Sequence, residues 1–382
     1  MYFALKPLAL SLIAFLLYSP LNASTEPPKI RAAFDVGSGA TKMKVFEVKT
    51  VNGKYITTAV DPDNCSADRA VKYKEDLNKE LGVALEEAGN LYFDNPALLA
   101  QTKLEIKKDF KDRGIENTIK EDTMYQGIEA LKELKQLAIS CGAQEFSGVA
   151  TSAFRQADNS KSIIAALTIS TGIYLNIVSQ LEEADLGFNG LIAKKKIDPR
   201  GVCSWDIGGS SMQIVCMDQS GEKFYHLSTL ASVPFKDIMV QHRVEQESNQ
   251  DQRTKILTEN TPNPISIEAA EKANIAIEGE LSRIKSGVAV LSVNRVYGIG
   301  GVHYYSVNKN NSLPKYTTAS LGHAIERKLN KTDGDLGGGK YVNTDVSNMI
   351  LVHSIMQQTG ISEVEAARVN LTEGLSISEK YW

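Results

Sequence analysis

Histidine and cysteine are scarce in this chain of 382 residues, five and four respectively. The histidines (His226, His242, His303, His323 and His353) show no metal-ligand spacing, and no Cys-x-x-Cys occurs, so a zinc site is not expected. There is no Gly-x-Ser-x-Gly stretch either, which removes the nucleophile elbow of serine hydrolases. Positive net charge is also lacking. At a formal charge of -4 the chain has no global attraction to nucleic acid or anionic lipid, so any polyanion must be held by a local cluster of cations. Beyond the amino-terminal segment, no apolar run is long enough to cross a bilayer.

What is present is an ordinary globular composition, 42% apolar and 23% charged, in a chain longer than a single core usually supports. Two lobes are therefore expected, 29–174 and 175–382. Residues 1–24 carry Lys6, an apolar run over 8–17, and small residues at Ala23 and Ser24, the layout of a cleavable signal peptide. Thr25-Glu26-Pro27-Pro28 then stops any continuing helix. An exported protein is expected, periplasmic or secreted, with no stable membrane anchor after cleavage. Export permits disulfides. Cys203 and Cys216 flank a Gly-Gly-Ser-Ser turn symmetrically, and the sequence allows either a bridge across the hairpin or two buried thiols. It gives no pairing for Cys65 or Cys141.

A weak internal repetition organises the chain. Phe34-Asp35-Val36-Gly37-Ser38-Gly39 leads into Met43-Lys44-Val45-Phe46, and Trp205-Asp206-Ile207-Gly208-Gly209-Ser210-Ser211 leads into Met212-Gln213-Ile214-Val215. Each copy is an apolar strand, an Asp, a Gly-rich turn and a second strand. A duplicated α/β architecture with a cleft between the halves is expected, the two turns facing each other across it. Residues 147–151 read as a strand handing over to a helix with Arg155 in its first turn. Helices are expected over 77–87, 98–110, 125–140, 179–193, 267–283 and 321–329, strands over 288–293 and 295–299, and a surface loop over the polar stretch 245–253.

Glycine-rich turns at strand ends let backbone N–H groups converge on an anion. Gly37-Ser38-Gly39, Gly208-Gly209-Ser210-Ser211 and Gly300-Gly301 are three candidates, and each alone is more often an ordinary turn. Asp35 and Asp206 give two of them a carboxylate that can hold Mg²⁺ or another divalent cation. Transfer of a phosphoryl group calls for charge stabilisation, for which Arg155 and Lys42 are candidates, and for a base, Glu182 or Glu183. The last two are adjacent on a helix, about 100° apart around its axis, so only one can face the cleft.

These segments, in this order, resemble the Ppx/GppA phosphatase family. The resemblance is carried by Asp35-Val36-Gly37-Ser38, Ala150-Thr151-Ser152-Ala153-Phe154-Arg155 with Asn159, Glu182-Glu183-Ala184, Asp206-Ile207-Gly208-Gly209, Gly298-Ile299-Gly300-Gly301 and Thr372-Glu373-Gly374-Leu375. It implies two duplicated actin-like (ribonuclease H-like) lobes, Glu183 as catalytic base, Arg155 on the phosphate and Asp35 and Asp206 with the metal. The implied activity is an exported exopolyphosphatase that trims inorganic polyphosphate. The alternatives are an apyrase-like nucleoside tri- or diphosphate hydrolase, or an inactive protein that only binds polyphosphate or nucleotide. A polyphosphate or nucleoside polyphosphate substrate is expected, no nucleic acid, and a homodimer is admitted as an assembly state.

The pattern departs from the family at Gly39, Ala40, Ser210 and Val302, which bears on substrate preference more than on reaction type. Residues 72–107 read as an insertion. Gly334 to Tyr341 has Walker A spacing, but Tyr341 stands where Ser or Thr is needed, and the segment reads as a surface loop. Lys194-Lys195-Lys196 reads first as a solvated helix end and second as a track for a long anion. Lys107-Lys108 has the same bland reading.

Overall fold

A computed structural model describes residues 27–37, 41–51, 54–60, 65, 100–102, 118–291, 295–311, 314–339 and 341–382. The signal-peptide reading of 1–24, the candidate residues Ser38 and Gly39, the helical pattern at 77–87, Lys107-Lys108 and nearly all of the 72–107 insertion lie outside them. Among the described residues the strands form two six-stranded sheets.

The first sheet contains β1 (Lys29–Val36), β2 (Thr41–Val51), β3 (Lys54–Ala59), β4 (Ala100–Thr102), β5 (Glu145–Ala150) and β6 (Tyr174–Ile177). Its order is β3-β2-β1-β5-β6, with β4 paired to β2. The central strand β1 buries Ala32, Ala33, Phe34 and Val36 completely, as a strand covered on both faces requires. Helices α1 (Glu121–Ser140), α2 (Ser152–Gln156) and α3 (Ser160–Thr171) accompany this sheet. α1 presents Leu131, Leu134, Leu137 and Ala138 to the core in a helical 3-4 spacing.

α4 (Gln180–Lys195) leads from the first sheet into the second lobe. There β7 (Val202–Ile207), β8 (Met212–Met217) and β9 (Lys223–Ser228) form a meander. Helices α5 (Ser232–Gln246), α6 (Gln250–Glu259) and α7 (Ile267–Leu291) precede β10 (Arg295–Ile299). A π-helix (Val302–Asn308), β11 (Lys315–Thr317), α8 (Thr318–Glu326), α9 (Val342–Thr359), β12 (Glu363–Ala366) and α10 (Leu371–Ile377) complete the chain.

The second sheet runs β11-β12-β10-β7-β8-β9. Dropping its edge strand β11, the order β9-β8-β7-β10-β12 repeats β3-β2-β1-β5-β6, and the parallel and antiparallel senses repeat with it. The duplicated α/β architecture expected from the two hairpins is thus present in full. The register is equivalent as well: Asp35 pairs with Lys42 across β1 and β2, and Asp206 pairs with Gln213 across β7 and β8. Each acid is the penultimate residue of its strand, so both emerge at carboxyl ends of strands, where open α/β sheets place ligands.

The change of lobe comes later than residue 174, because β6 carries the first sheet on to Ile177. α4 packs on both halves, and α10 joins it against the first sheet. Leu186 of α4, with Leu371 and Leu375 of α10, packs against Ala33, Phe46 and Val149 of the first sheet, while Ala184, Phe188 and Leu191 face Val202 and Val215 of the second. The two helices touch backbone to backbone, since a Cβ on Gly374 would lie 2.0 Å from the Leu186 carbonyl oxygen.

Three local expectations are corrected. The 98–110 stretch contains strand β4 at Ala100–Thr102, not helix. The strand expected at 288–293 is helix as far as Leu291, since a short apolar run has no periodicity that separates the two. The polar stretch 245–253 is mostly helical: the Asn249 side chain accepts hydrogen bonds from the Asp251 and Gln252 amides and starts α6. Both cysteine pairs are bridged, Cys65 to Cys141 and Cys203 to Cys216, the second joining register partners on β7 and β8.

Candidate active site

β1 delivers Asp35, whose side chain is 5% exposed and pairs with Lys42 across the hairpin, Nζ to Oδ2 3.1 Å. Burial acts to lower the pKa of the Lys42 ammonium, but Asp35, then Asp206 and Tyr305, outweigh it and raise the value. Lys42 therefore stays charged and is within electrostatic reach of both acids, although these come from different lobes.

The segment after β5 supplies Arg155. α2 is a helix of five residues, so Arg155 falls in its last turn, not the expected first. Its Nη1 donates to the Val178 carbonyl at 3.1 Å and lies 2.6 Å from Glu183 Oε2. That backbone anchor fixes the guanidinium at the start of α4. Asn159, from the same segment, serves the scaffold: its amide exchanges two 2.9 Å hydrogen bonds with the backbone of Ile119.

α4 separates its two glutamates. Ser179 and Glu182 form a capping box: the Ser179 hydroxyl accepts from the Glu182 amide, and the Glu182 carboxylate accepts from the Ser179 amide. Glu182 also pairs with Lys380 near the carboxyl terminus, which with the cap holds its carboxyl down at about 2. Glu183 points inward and is 8% exposed. Burial raises its pKa to about 7, with Arg155 opposing and the negative charges of Asp206 and Asp35 adding to the rise. A carboxylate poised near neutrality beside a fixed guanidinium is suited to general-base chemistry.

β7 delivers Asp206. Burial raises its carboxyl to about 6, with Lys42 opposing and Asp35 adding. Gly300 makes room for it: at φ +80°, a Cβ there would lie 2.1 Å from Asp206 Oδ1. The Gly300 amide donates to the Val369 carbonyl at 3.4 Å. The Gly208-Gly209-Ser210-Ser211 turn closes through a Gly208 to Ser211 hydrogen bond, and the carbonyls of Gly208 and Gly209 accept from Ser232 and Val233 at the start of α5. Ser210 and Ser211 are both buried. Gly37 follows β1 directly, and Gly301 opens the π-helix.

The structure thus brings Asp35, Lys42, Arg155, Glu183 and Asp206 into one electrostatically coupled group, with Gly300 set against Asp206. Among the described residues no three His, Cys, Asp or Glu side chains converge as a closed metal cage. Mg²⁺ rarely uses one, since it keeps waters and substrate oxygens and takes one or two carboxylates. Asp206 fits that use, because its carboxylate has no ion pair or hydrogen bond among the described residues, and Asp35 faces the same charges.

Sequence reasoning missed a neighbouring group. Lys44 on β2, 4% exposed, pairs with Glu373 of α10, and Lys194 of α4 pairs with the same carboxylate at 3.1 Å and with the Arg368 carbonyl. Lys194 is therefore not a solvated helix end, and Lys195 is paired too, with Glu365. Burial lowers Lys44 to about 8, Glu373 opposing and Lys194 and Arg368 reinforcing. A lysine within the otherwise apolar run Met43 to Phe46 was the available signal.

Residues 97–316, more than half of the chain, match the model of the Ppx/GppA phosphatase family. In three dimensions the chain is similar to the PPX-GPPA enzyme of Aquifex aeolicus, at 14% identity and a TM-score of 0.64, covering 92% of this chain and 100% of that one. It is also similar to an exopolyphosphatase from Cytophaga hutchinsonii, at 11% identity and a TM-score of 0.61, covering 91% and 96%. At such identities the likeness establishes the shared two-lobe fold. Comparison of the sequence with curated proteins gives no match.

Proposed function

The chain belongs to the Ppx/GppA phosphatase family, and from that premise we propose that it is an exopolyphosphatase, hydrolysing the terminal phosphoanhydride bond of inorganic polyphosphate by attack of water. The observation that carries the reading is the inward Glu183, raised to about 7 and set 2.6 Å from Arg155, next to Asp35, Lys42 and Asp206. Binding alone would not require a buried acid poised to exchange a proton.

Glu183, once ionised, accepts a proton from the attacking water as the new P–O bond forms and the bridging P–O bond breaks. Arg155 and Lys42 supply fixed positive charge for the equatorial oxygens, and neither must reorganise during the reaction. Asp35 and Asp206 would hold a divalent cation, which when bound neutralises charge on the phosphate oxygens. The shortened chain leaves as an oxyanion with orthophosphate as the other product.

Export is part of the proposal. The disulfides Cys65–Cys141 and Cys203–Cys216 support it, because such bridges persist in oxidising compartments, as does the amino-terminal apolar run. The deciding assay is orthophosphate release from long-chain polyphosphate and from ATP, with Mg²⁺ and with chelator. Metal-dependent release from polyphosphate supports the reading. Release from ATP alone moves the assignment to a nucleotide hydrolase, and binding with no release to a non-catalytic protein.

A further inference from the structure

Next to the catalytic group lies a small cleft lined by Lys42, Lys44, Gly300, Gly301, Tyr304 and Arg368, among others, with no acidic side chain among its described lining residues. Lys42 and Gly300 belong to the catalytic group as well, so the cleft adjoins it. The walls come from both lobes, the lysines from β2 of the first sheet, the glycines and Tyr304 from the end of β10 and the π-helix, and Arg368 from the segment after β12.

Three observations bear on what this cleft takes. At the wall the buried Lys44 ammonium shares the single carboxylate of Glu373 with the half-buried Lys194 behind it, which leaves positive charge in excess next to the cleft. Burying such an excess is costly unless an anion completes it. Lys42 and Lys44 are alternate residues on one face of β2, about 7 Å apart along the strand, which favours an anion longer than a single orthophosphate. The guanidinium of Arg368 lies over the Tyr304 ring, 5.4 Å from its centroid, so a cation occupies the aromatic face on which a base would stack.

We propose that this cleft is a second anion subsite in which Lys44 and Arg368 hold phosphoryl groups one or more bridges upstream of the one being cleaved. The inference rests on the hydrolase reading above for its orientation. It makes linked phosphoryl groups the recognised element, and a nucleoside unnecessary. Glu373 is then a positioning residue, keeping the Lys44 ammonium at the wall.

The test is calorimetric titration of the full chain carrying Glu183→Gln, so that turnover is slow over the titration, with orthophosphate, tripolyphosphate and ATP at fixed Mg²⁺ and ionic strength. Tripolyphosphate should bind at least about tenfold tighter than orthophosphate, since each charge-assisted contact adds roughly a factor of ten or more. Adding Arg368→Gln should weaken tripolyphosphate about 10- to 100-fold and leave orthophosphate within about twofold. Arg368→Lys should restore part of the loss. Lys44→Met strands Glu373 and can fail to fold, so Arg368→Gln carries the decision. Equal affinity for the two phosphates, equal weakening of both, no effect of Arg368→Gln, or tighter binding of ATP than of tripolyphosphate overturns the subsite.

Phosphate release by the chain with Glu183 intact reports separately on the hydrolase reading. No release from polyphosphate, together with Arg368-dependent tripolyphosphate binding, sinks that reading and keeps the subsite. Release with Arg368-independent binding does the reverse.

Discussion

Replacing Glu183 by Gln keeps the shape of the side chain and removes its proton exchange. Turnover of polyphosphate should fall about 10²- to 10⁴-fold with substrate affinity retained, the usual loss for a missing general base. The same substitution should change the pH dependence of stability. The Glu183 carboxyl lies near 4.5 in the unfolded chain and about 7 in the folded one. The folded state therefore holds the extra proton between those values, and the stability this gives is present below 4.5 and lost as pH rises through 7. Integrated from pH 5 to pH 8, the loss attributable to this one group is roughly 2–3 kcal/mol. Gln cannot ionise, so the variant should be less sensitive than the parent over that interval and gain on it by up to that amount at pH 8.

Chemical denaturation at pH 5 and pH 8 measures the difference, and a pH–rate profile measures its kinetic counterpart. In the parent, activity should rise with pH through an acid limb near 7. Asp206, raised to about 6, is coupled to Glu183, so the limb belongs to the cluster and a weaker one near 6 should survive in the variant. Glu182→Gln is the control, because Glu182 caps its own helix and pairs with Lys380. Equal turnover of parent and Glu183→Gln, or a larger loss in the control, would refute the assignment of the base.

The two hairpins were legible because each writes the same local grammar, an apolar strand, an Asp and a glycine turn, and the sheets repeat it in order and sense. The choice between the two glutamates was left open by the helix pattern and rested on the family resemblance, although a local signal for it exists. Ser179 followed three residues later by Glu182 is a capping signature, which commits Glu182 to the helix end and leaves Glu183, about 100° around, for the interior. Long-range pairing was not legible. Lys44, Lys194, Arg368 and Glu373 meet only because α4 and α10 cross between the sheets, and the alternation of a strand or helix does not encode its neighbour in space. The same holds for Cys65 and Cys141, separated by 76 positions. At 245–253 polarity suggested a surface loop, although Asn249 before a run of helix formers is a start signal.

Arg155→Ala should reduce polyphosphate affinity and turnover together and leave Glu183 without its counter-charge, moving the acid limb above 7; loss of thermal stability alone would make Arg155 structural. Gly300→Ala should abolish activity, because the new Cβ would meet Asp206 Oδ1 at 2.1 Å on a backbone at φ +80°, and a normal rate would mean that Asp206 is not needed where it stands. Gly374→Ala tests how the two lobes are joined. Its Cβ would meet the Leu186 carbonyl oxygen at 2.0 Å and carbon at 2.7 Å, both backbone atoms of α4, so α10 has to move away from the helix that carries Glu183. Overpacking of this kind costs about 1–3 kcal/mol or more, and the movement should lower turnover as well as melting temperature. Gly279→Ala is the matched comparison. Gly279 lies within α7 with nothing inside 4 Å of its would-be Cβ, so there the change should stabilise by about 0.5–1 kcal/mol through helix propensity alone. Opposite signs at the two positions would show that backbone contact between α4 and α10 holds the helix that carries Glu183 in place, and equal stabilisation would show that the helices do not touch there.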